Sequence, residues 1–160
     1  MSVIPAIQDT YPNDVAHCYG CGRLNEHGYQ IKTRPRGDKT LTEFGPEPFY
    51  TAIPGYVYGG LVASLIDCHS TGSAAIFAMQ KAGVEIGSEP SPRYLTAHLE
   101  VDYLAPTPME RLTMIGHAIE VRDRKVVVST ELSVGGHVTA RGNAVLVKMP
   151  EGMIEGLAGS

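Results

Sequence analysis

A chain of 160 residues with 43% hydrophobic and 19% charged residues has the balance of a globular protein and the size of one domain with its own core. A net charge of −4 gives no field for gathering nucleic acid or anionic lipid, and no apolar run is expected to reach the roughly 20 residues that a membrane span requires. Three cysteines, Cys18, Cys21 and Cys68, are an odd set, and MSVIPAIQDTYPND has neither a basic start nor an apolar centre, so reduced thiols in a cytoplasmic protein are expected.

Residues 1–26, rich in Pro, Asn, Asp and Gly and without a sustained period, read as an arm laid over the domain. The domain itself is expected over 27–150, with 151–160 as a tail. YQIKTRP, a Gly37-Asp38 turn and TLTEF predict a hairpin of two half-exposed strands. After the loop GPEPFYTAIPGY, residues 57–80 carry Val57, Leu61, Leu65, Cys68, Gly72, Ala75 and Met79 at steps of three and four, which predicts one long helix. Its other side is hardly polar, with Asp67 as the one charge, and such a helix belongs inside something. Past the breakers Pro90 and Pro92, strand-like runs at 93–104, 111–121, 125–133 and 137–149 follow on short connections, which predicts an antiparallel meander. The expected fold class is α+β, one curved antiparallel sheet of five to six strands wrapped around one long central helix.

The chemistry concentrates in PGYVYGGLVASLID, residues 54–67. A helix opening on Gly59 and Gly60 presents free backbone N–H groups and the positive end of the helix dipole to an oxygen that develops charge. The same pair also suits tight packing of helix on sheet. Asp67 lies seven or eight residues on, roughly 10–12 Å along the axis, so one reacting atom cannot sit about 3 Å from both. A second copy of the helix running antiparallel brings them together, which predicts a two-fold homodimer with two composite sites. Small residues at Ala63, Ser64, Ser70, Gly72, Ser73 and Ala74 are compatible with that contact, or with helix on sheet. Asp67 is expected to be a buried base, or else a carboxylate satisfied by Ser64 and Thr71 on its own stripe.

CYGCGRLNEHGYQIK, then PGYVYGGLVASLID, then RYLTAHLEVDYLAP resembles, over about Cys18 to Met149, the hotdog-fold acyl-CoA thioesterases of the phenylacetate-pathway type. The resemblance implies dimers or dimers of dimers acting on an acyl-CoA or other small thioester, with coenzyme A as part of the substrate and no separate cofactor. Carried over by position, the family's His-Gly-Gly falls on Tyr58, Gly59 and Gly60, with tyrosine where the family has histidine. Gly59 takes the place of the N–H that polarises the thioester carbonyl, Asp67 that of the acid acting on water or on the carbonyl from the opposite subunit, and Thr96 that of the hydroxyl orienting the water. Arg122, Arg124 and Lys125 are placed to meet coenzyme A phosphates, and His98, two residues past Thr96, to line the pocket. Two other activities share such a fold: thioester binding without turnover, and hydration or dehydration, which pairs a histidine with the acid. Cys18 and Cys21 form CxxC near His17 and His27, but the second ligand pair of a zinc site is missing, so no metal is expected. His69 reads as a core or interface histidine.

Overall fold

The computed structural model describes residues 3–88 and 90–155; residues 1–2 of the arm and 156–160 of the expected tail lie outside the described residues. In chain order the regular elements are β1 (Arg34–Arg36), β2 (Lys39–Phe44), α1 (Gly59–Ala82), β3 (Tyr94–Tyr103), β4 (Leu112–Val121), β5 (Lys125–Val134) and β6 (His137–Lys148). The six strands form one antiparallel sheet in the order β1-β2-β4-β5-β6-β3, and α1 packs against β3, β4, β5 and β6. This is the hotdog fold, and the sheet is open, with β1 and β3 at its edges.

One expectation needs correcting. The last four strands do not run as a simple meander, because both sides of β4 are taken by β2 and β5, which sends β3 to the far edge beside β6. Residues 104–111 bridge the two intervening strands. Eight extended residues reach up to about 27 Å, and three strand spacings need only about 14 Å. The crossing is held by Leu104 and Ala105 N–H groups on the Thr139 carbonyl at 2.9 and 3.2 Å, and by the Val57 N–H on the Thr107 carbonyl at 2.8 Å. The helix start is therefore fastened to the strand connection.

By length and composition α1 would pass for a membrane span, yet 78% of its apolar stretch is buried inside the chain. It ends where Gly83 adopts φ 70°, with Gly83 N–H bonded to Gln80 O and Val84 N–H to Met79 O, a Schellman closure. Leu61, Leu65 and Ile66 pack with Leu112, Met114 and Leu132 toward one end of the core, and Ala75, Ile76 and Met79 with Val126, Val128 and Leu146 toward the other. The N-terminal segment crosses α1 at Gly72, where a Cβ would stand 2.6 Å from Gln8 Nε2 and 3.0 Å from Thr33 Oγ1. Ser70, Gly72, Ser73 and Ala74 are thus consumed within the chain, and only Ala63 and Ser64 of the small residues keep partial exposure.

His69 is sealed in this core at 0% exposure, with Nδ1 2.7 Å from Thr42 Oγ1 and Nε2 3.3 Å from Thr40 Oγ1. Burial pulls its pKa down to about 3, so it folds neutral. Between about 3 and the unfolded value near 6.5 the unfolded chain binds the proton and the native chain does not. The contribution is therefore whole above pH 6.5 and lost as pH falls, by up to roughly 1.4 kcal/mol per pH unit. Urea unfolding from pH 7 to 4.5 is expected to show this acid limb, flattened in His69→Gln; an equally steep limb in the variant would assign it to other groups.

Candidate functional site

The helix start is built by the loop before it. Tyr58 stands at the N-cap with an extended backbone, φ −69° and ψ 144°, its own N–H on the Tyr50 carbonyl at 3.1 Å and no side-chain cap. Its carbonyl takes the N–H groups of Leu61 and Val62, which leaves those of Gly59 and Gly60 without an intrahelical partner. The two glycines differ in what surrounds them. A Cβ on Gly60 would overlap the Tyr58 ring, so Gly60 is small because that ring folds over it. A Cβ on Gly59 would meet the Tyr103 ring only at an ordinary 3.5 Å, and Gly59, with Val57, Val62, Tyr103, Leu104 and Pro106, lines a cleft of about 400 Å³. Of the pair, Gly59 is the one that faces a cleft.

Two tyrosines complete this corner. Tyr103 on β3 donates its hydroxyl to the Gly59 carbonyl at 2.7 Å, tying the first helical turn to the sheet edge. The Tyr58 and Tyr29 hydroxyls lie 3.2 Å apart. That hydrogen bond holds the Tyr29 phenol above its usual range, so Tyr29 keeps its proton. Tyr58 consequently has a fixed hydroxyl position, where the family pattern has an imidazole.

Asp67, a turn and more beyond, is half-buried rather than sealed. Its Oδ1 accepts a hydrogen bond from the Thr96 hydroxyl on β3. Ser64 and Thr71 do not satisfy it: Ser64 Oγ donates to the Gly60 carbonyl at 2.8 Å and Thr71 Oγ1 to the Cys68 carbonyl at 3.0 Å, as hydroxyls in helices commonly do. With Thr96 exposed on an edge strand, the pair opens outward from the chain. Asp67 is not among the residues lining the Gly59 cleft, as the helical rise of roughly 12 Å requires.

A β-bulge in β3 decides which residues join this site. Thr96 pairs with Leu146 and His98 with Val145, so one residue is skipped between them. Leu146 faces the core and Val145 the outer surface, hence His98 points away from Thr96, against the strict alternation expected. It pairs instead with Glu100 at 3.2 Å. The same bulge brings Tyr103, seven residues on, to the Thr96 face; alternation in the sequence would have put it on the other side. Tyr103 is the contact residue that sequence reasoning misses.

The basic turn is more neutral than its sequence suggests. Arg122 Nε is ion-paired with Glu120, and Lys125 Nζ lies 3.6 Å from the same carboxylate, a partner not singled out from sequence. Arg122 does line, with Lys81, Asp123 and Lys148, a cleft of about 600 Å³ at the C-terminal end of α1; Arg124 and Lys125 do not. That end lies 11–15 residues past Asp67, roughly 16–22 Å along the helix. The thiols also gather: Cys68 joins Cys18 and Cys21, while His17 and His27 stay at the surface.

The thioesterase superfamily model matches residues 54–141, which takes in the helix start, Asp67, Thr96 and Tyr103. The chain belongs to the thioesterase superfamily. A thioesterase superfamily protein from Shewanella loihica PV-4, solved as a crystal structure, is 51% identical with a TM-score of 0.64 over 78% of this chain and 96% of that one. Acyl-coenzyme A thioesterase THEM4 of Xenopus laevis is 32% identical over 90 residues, 56% of this chain and 35% of that protein, so the match spans about a third of that relative. A Streptococcus mutans UA159 protein solved with acetyl CoA shares the fold, at 11% identity and a TM-score of 0.60 over 74% of this chain and 88% of that one. In this thioesterase superfamily chain Gly59, beside Tyr58, and Asp67 thus mark two stations along one helix, fastened to β3 by Tyr103 and Thr96 respectively.

Proposed function

We propose that the protein hydrolyses an acyl-CoA, or a related acyl thioester, to a free acid and a thiol, and that it does so as a two-fold dimer. The observation that carries the reading is the Thr96–Asp67 hydrogen bond on an outward-facing edge of the chain, together with the free Gly59 N–H lining a cleft at the start of the same helix. The acyl-CoA of the reading is supported by the Xenopus relative's name and by the acetyl CoA of the Streptococcus mutans protein.

The chemistry follows from donors and acceptors. Thr96 spends its proton on Asp67 Oδ1, so its oxygen lone pairs are left to accept from a water beside the carboxylate. Asp67 takes a proton from that water as its oxygen attacks the carbonyl carbon, and the Gly59 N–H of the partner chain stabilises the oxyanion. Collapse of the tetrahedral intermediate breaks the C–S bond and releases the thiolate, which needs no strong acid to leave. Attack by Asp67 itself, giving an anhydride that water then opens, uses the same groups. Phe49, Ile53, Tyr56, Tyr103 and Leu104 are exposed apolar residues around the helix start, and a dimer contact would cover them. Arg122, with Lys81 and Lys148, offers positive charge for the coenzyme A phosphates at the far cleft; Arg124 and Lys125 extend it on the surface.

A second reading, binding of a thioester without turnover, draws on Tyr58, whose phenol replaces an imidazole and whose ring covers Gly60. A hydratase is disfavoured, because His69 is sealed in the core and His98 faces away from Thr96. A panel of acyl-CoAs of increasing chain length, followed with a thiol reagent, separates the readings. Saturable thiol release is expected, with Tyr58→His raising kcat by up to about 10-fold, the worth of one good hydrogen bond. Tight binding by calorimetry with no thiol released by either protein would establish the binder instead.

A further inference from the structure

Three sulfurs converge where the proposed reaction uses none of them. Cys18 and Cys21 come from the N-terminal segment and Cys68 from α1, and their Sγ atoms all lie within 4.8 Å of one another, with Cys18 and Cys68 3.8 Å apart. All three are free thiols. A disulfide has its sulfurs at about 2.05 Å and consumes two, leaving the third without purpose. A tetrahedral thiolate centre with metal–sulfur bonds of about 2.3 Å has sulfur–sulfur edges of about 3.8 Å.

The surrounding chain is shaped to hold the sulfurs in place. Gly22 N–H closes the turn onto the Cys18 carbonyl at 2.7 Å, which fixes the backbone that carries Cys18 and Cys21. A Cβ at Gly20 would overlap Cys68 Sγ, and one at Gly22 the backbone of Cys18, so both glycines are needed for the loop to wrap this closely. Cys21 and Cys68 are buried, whereas Cys18 is half-exposed, which leaves one corner open to solvent.

We propose that Cys18, Cys21 and Cys68 form a binding site for one thiophilic d10 cation, with zinc as the physiological ion and water in the fourth position. Soft thiolates select such ions over magnesium or calcium. Binding releases the thiol protons and cross-links the N-terminal segment to α1 at the residue after Asp67, so the ion's role is to fix the segment rather than to meet substrate. Cys68 lies about 100° around the helix from Asp67, away from the Thr96 side.

The test uses the full chain, untagged, stripped with a chelator under anaerobic reducing conditions and titrated with Cd²⁺ as an optical probe and Zn²⁺ as competitor. Expected are a thiolate-to-cadmium charge-transfer band saturating at one ion per chain, a Kd for Zn²⁺ below about 1 µM, and a Tm raised by about 5–10 °C at saturating ion. Cys68→Ser is expected to weaken binding at least about 100-fold. Cys18→Ser, at the solvent corner, repeats the measurement should the first variant fold poorly. No band in the wild type, a band unchanged in either variant, or a disulfide among these cysteines in the anaerobically purified protein would overturn the proposal.

Discussion

Asp67→Asn is expected to lower kcat on an acyl-CoA by about 10²–10⁴-fold while leaving KM and the unfolding midpoint nearly unchanged. The substitution preserves shape and hydrogen bonding. Asparagine has the same shape, and its carbonyl oxygen still accepts the Thr96 hydroxyl, so the one hydrogen bond that the structure shows is retained. The carboxylate is half-buried and has no cation within ion-pair reach among the described residues, so removing its charge orphans nothing. What disappears is the base, or the nucleophile. Steady-state thiol release decides it: a rate near wild type would remove Asp67 from the mechanism, and a matched loss of stability would make it a structural residue.

The second large effect is expected at a backbone atom. Gly59→Pro removes one N–H and little else, because Gly59 is the first helical residue, where proline is favoured and the missing donor has no intrahelical partner. Tyr58, the residue before it, already has the extended φ −69° and ψ 144° that a following proline demands. If the Gly59 N–H stabilises the oxyanion, kcat falls by about 10²–10³-fold in a protein that still folds. Mixing this variant with Asp67→Asn then tests the composite site. In mixed dimers one site joins an intact Asp67 to the intact Gly59 of the other chain, and about a quarter of wild-type activity returns. No recovery after verified subunit exchange would place both groups in one chain's site.

How much of this was readable in advance depends on whether the signal was local. The Gly37-Asp38 turn, the breakers Pro90 and Pro92 and the 3.6-residue period through α1 are properties of short windows, and β2, α1 and the last four strands fall within a few residues of where those windows put them, whereas the first strand, expected over YQIKTRP, is confined to Arg34–Arg36. The apolar circumference of α1 also foretold that the sheet would wrap it, since a helix without a polar face has no solvent side to offer. The place of β3 was not readable. Short connections suggest sequential pairing, but which edge is free is settled only when β4 has both its neighbours.

For the candidate site the same division holds residue by residue. PGYVYGGLVASLID by itself determined that two glycines open a buried helix and that a lone carboxylate follows too far along it to share their substrate, because composition and helical rise are properties of the chain. The family resemblance already set Thr96 beside the water of Asp67; only the tertiary structure decided that the Thr96 hydroxyl bonds the carboxylate directly, that His98 turns outward, that Tyr103 holds Gly59, and that Cys68 completes a set begun by Cys18 and Cys21. The reason is geometric: a single skipped residue in β3 reverses every side chain beyond it, and a contact between positions 18 and 68 depends on how the N-terminal segment crosses the helix, neither of which leaves a mark in local spacing.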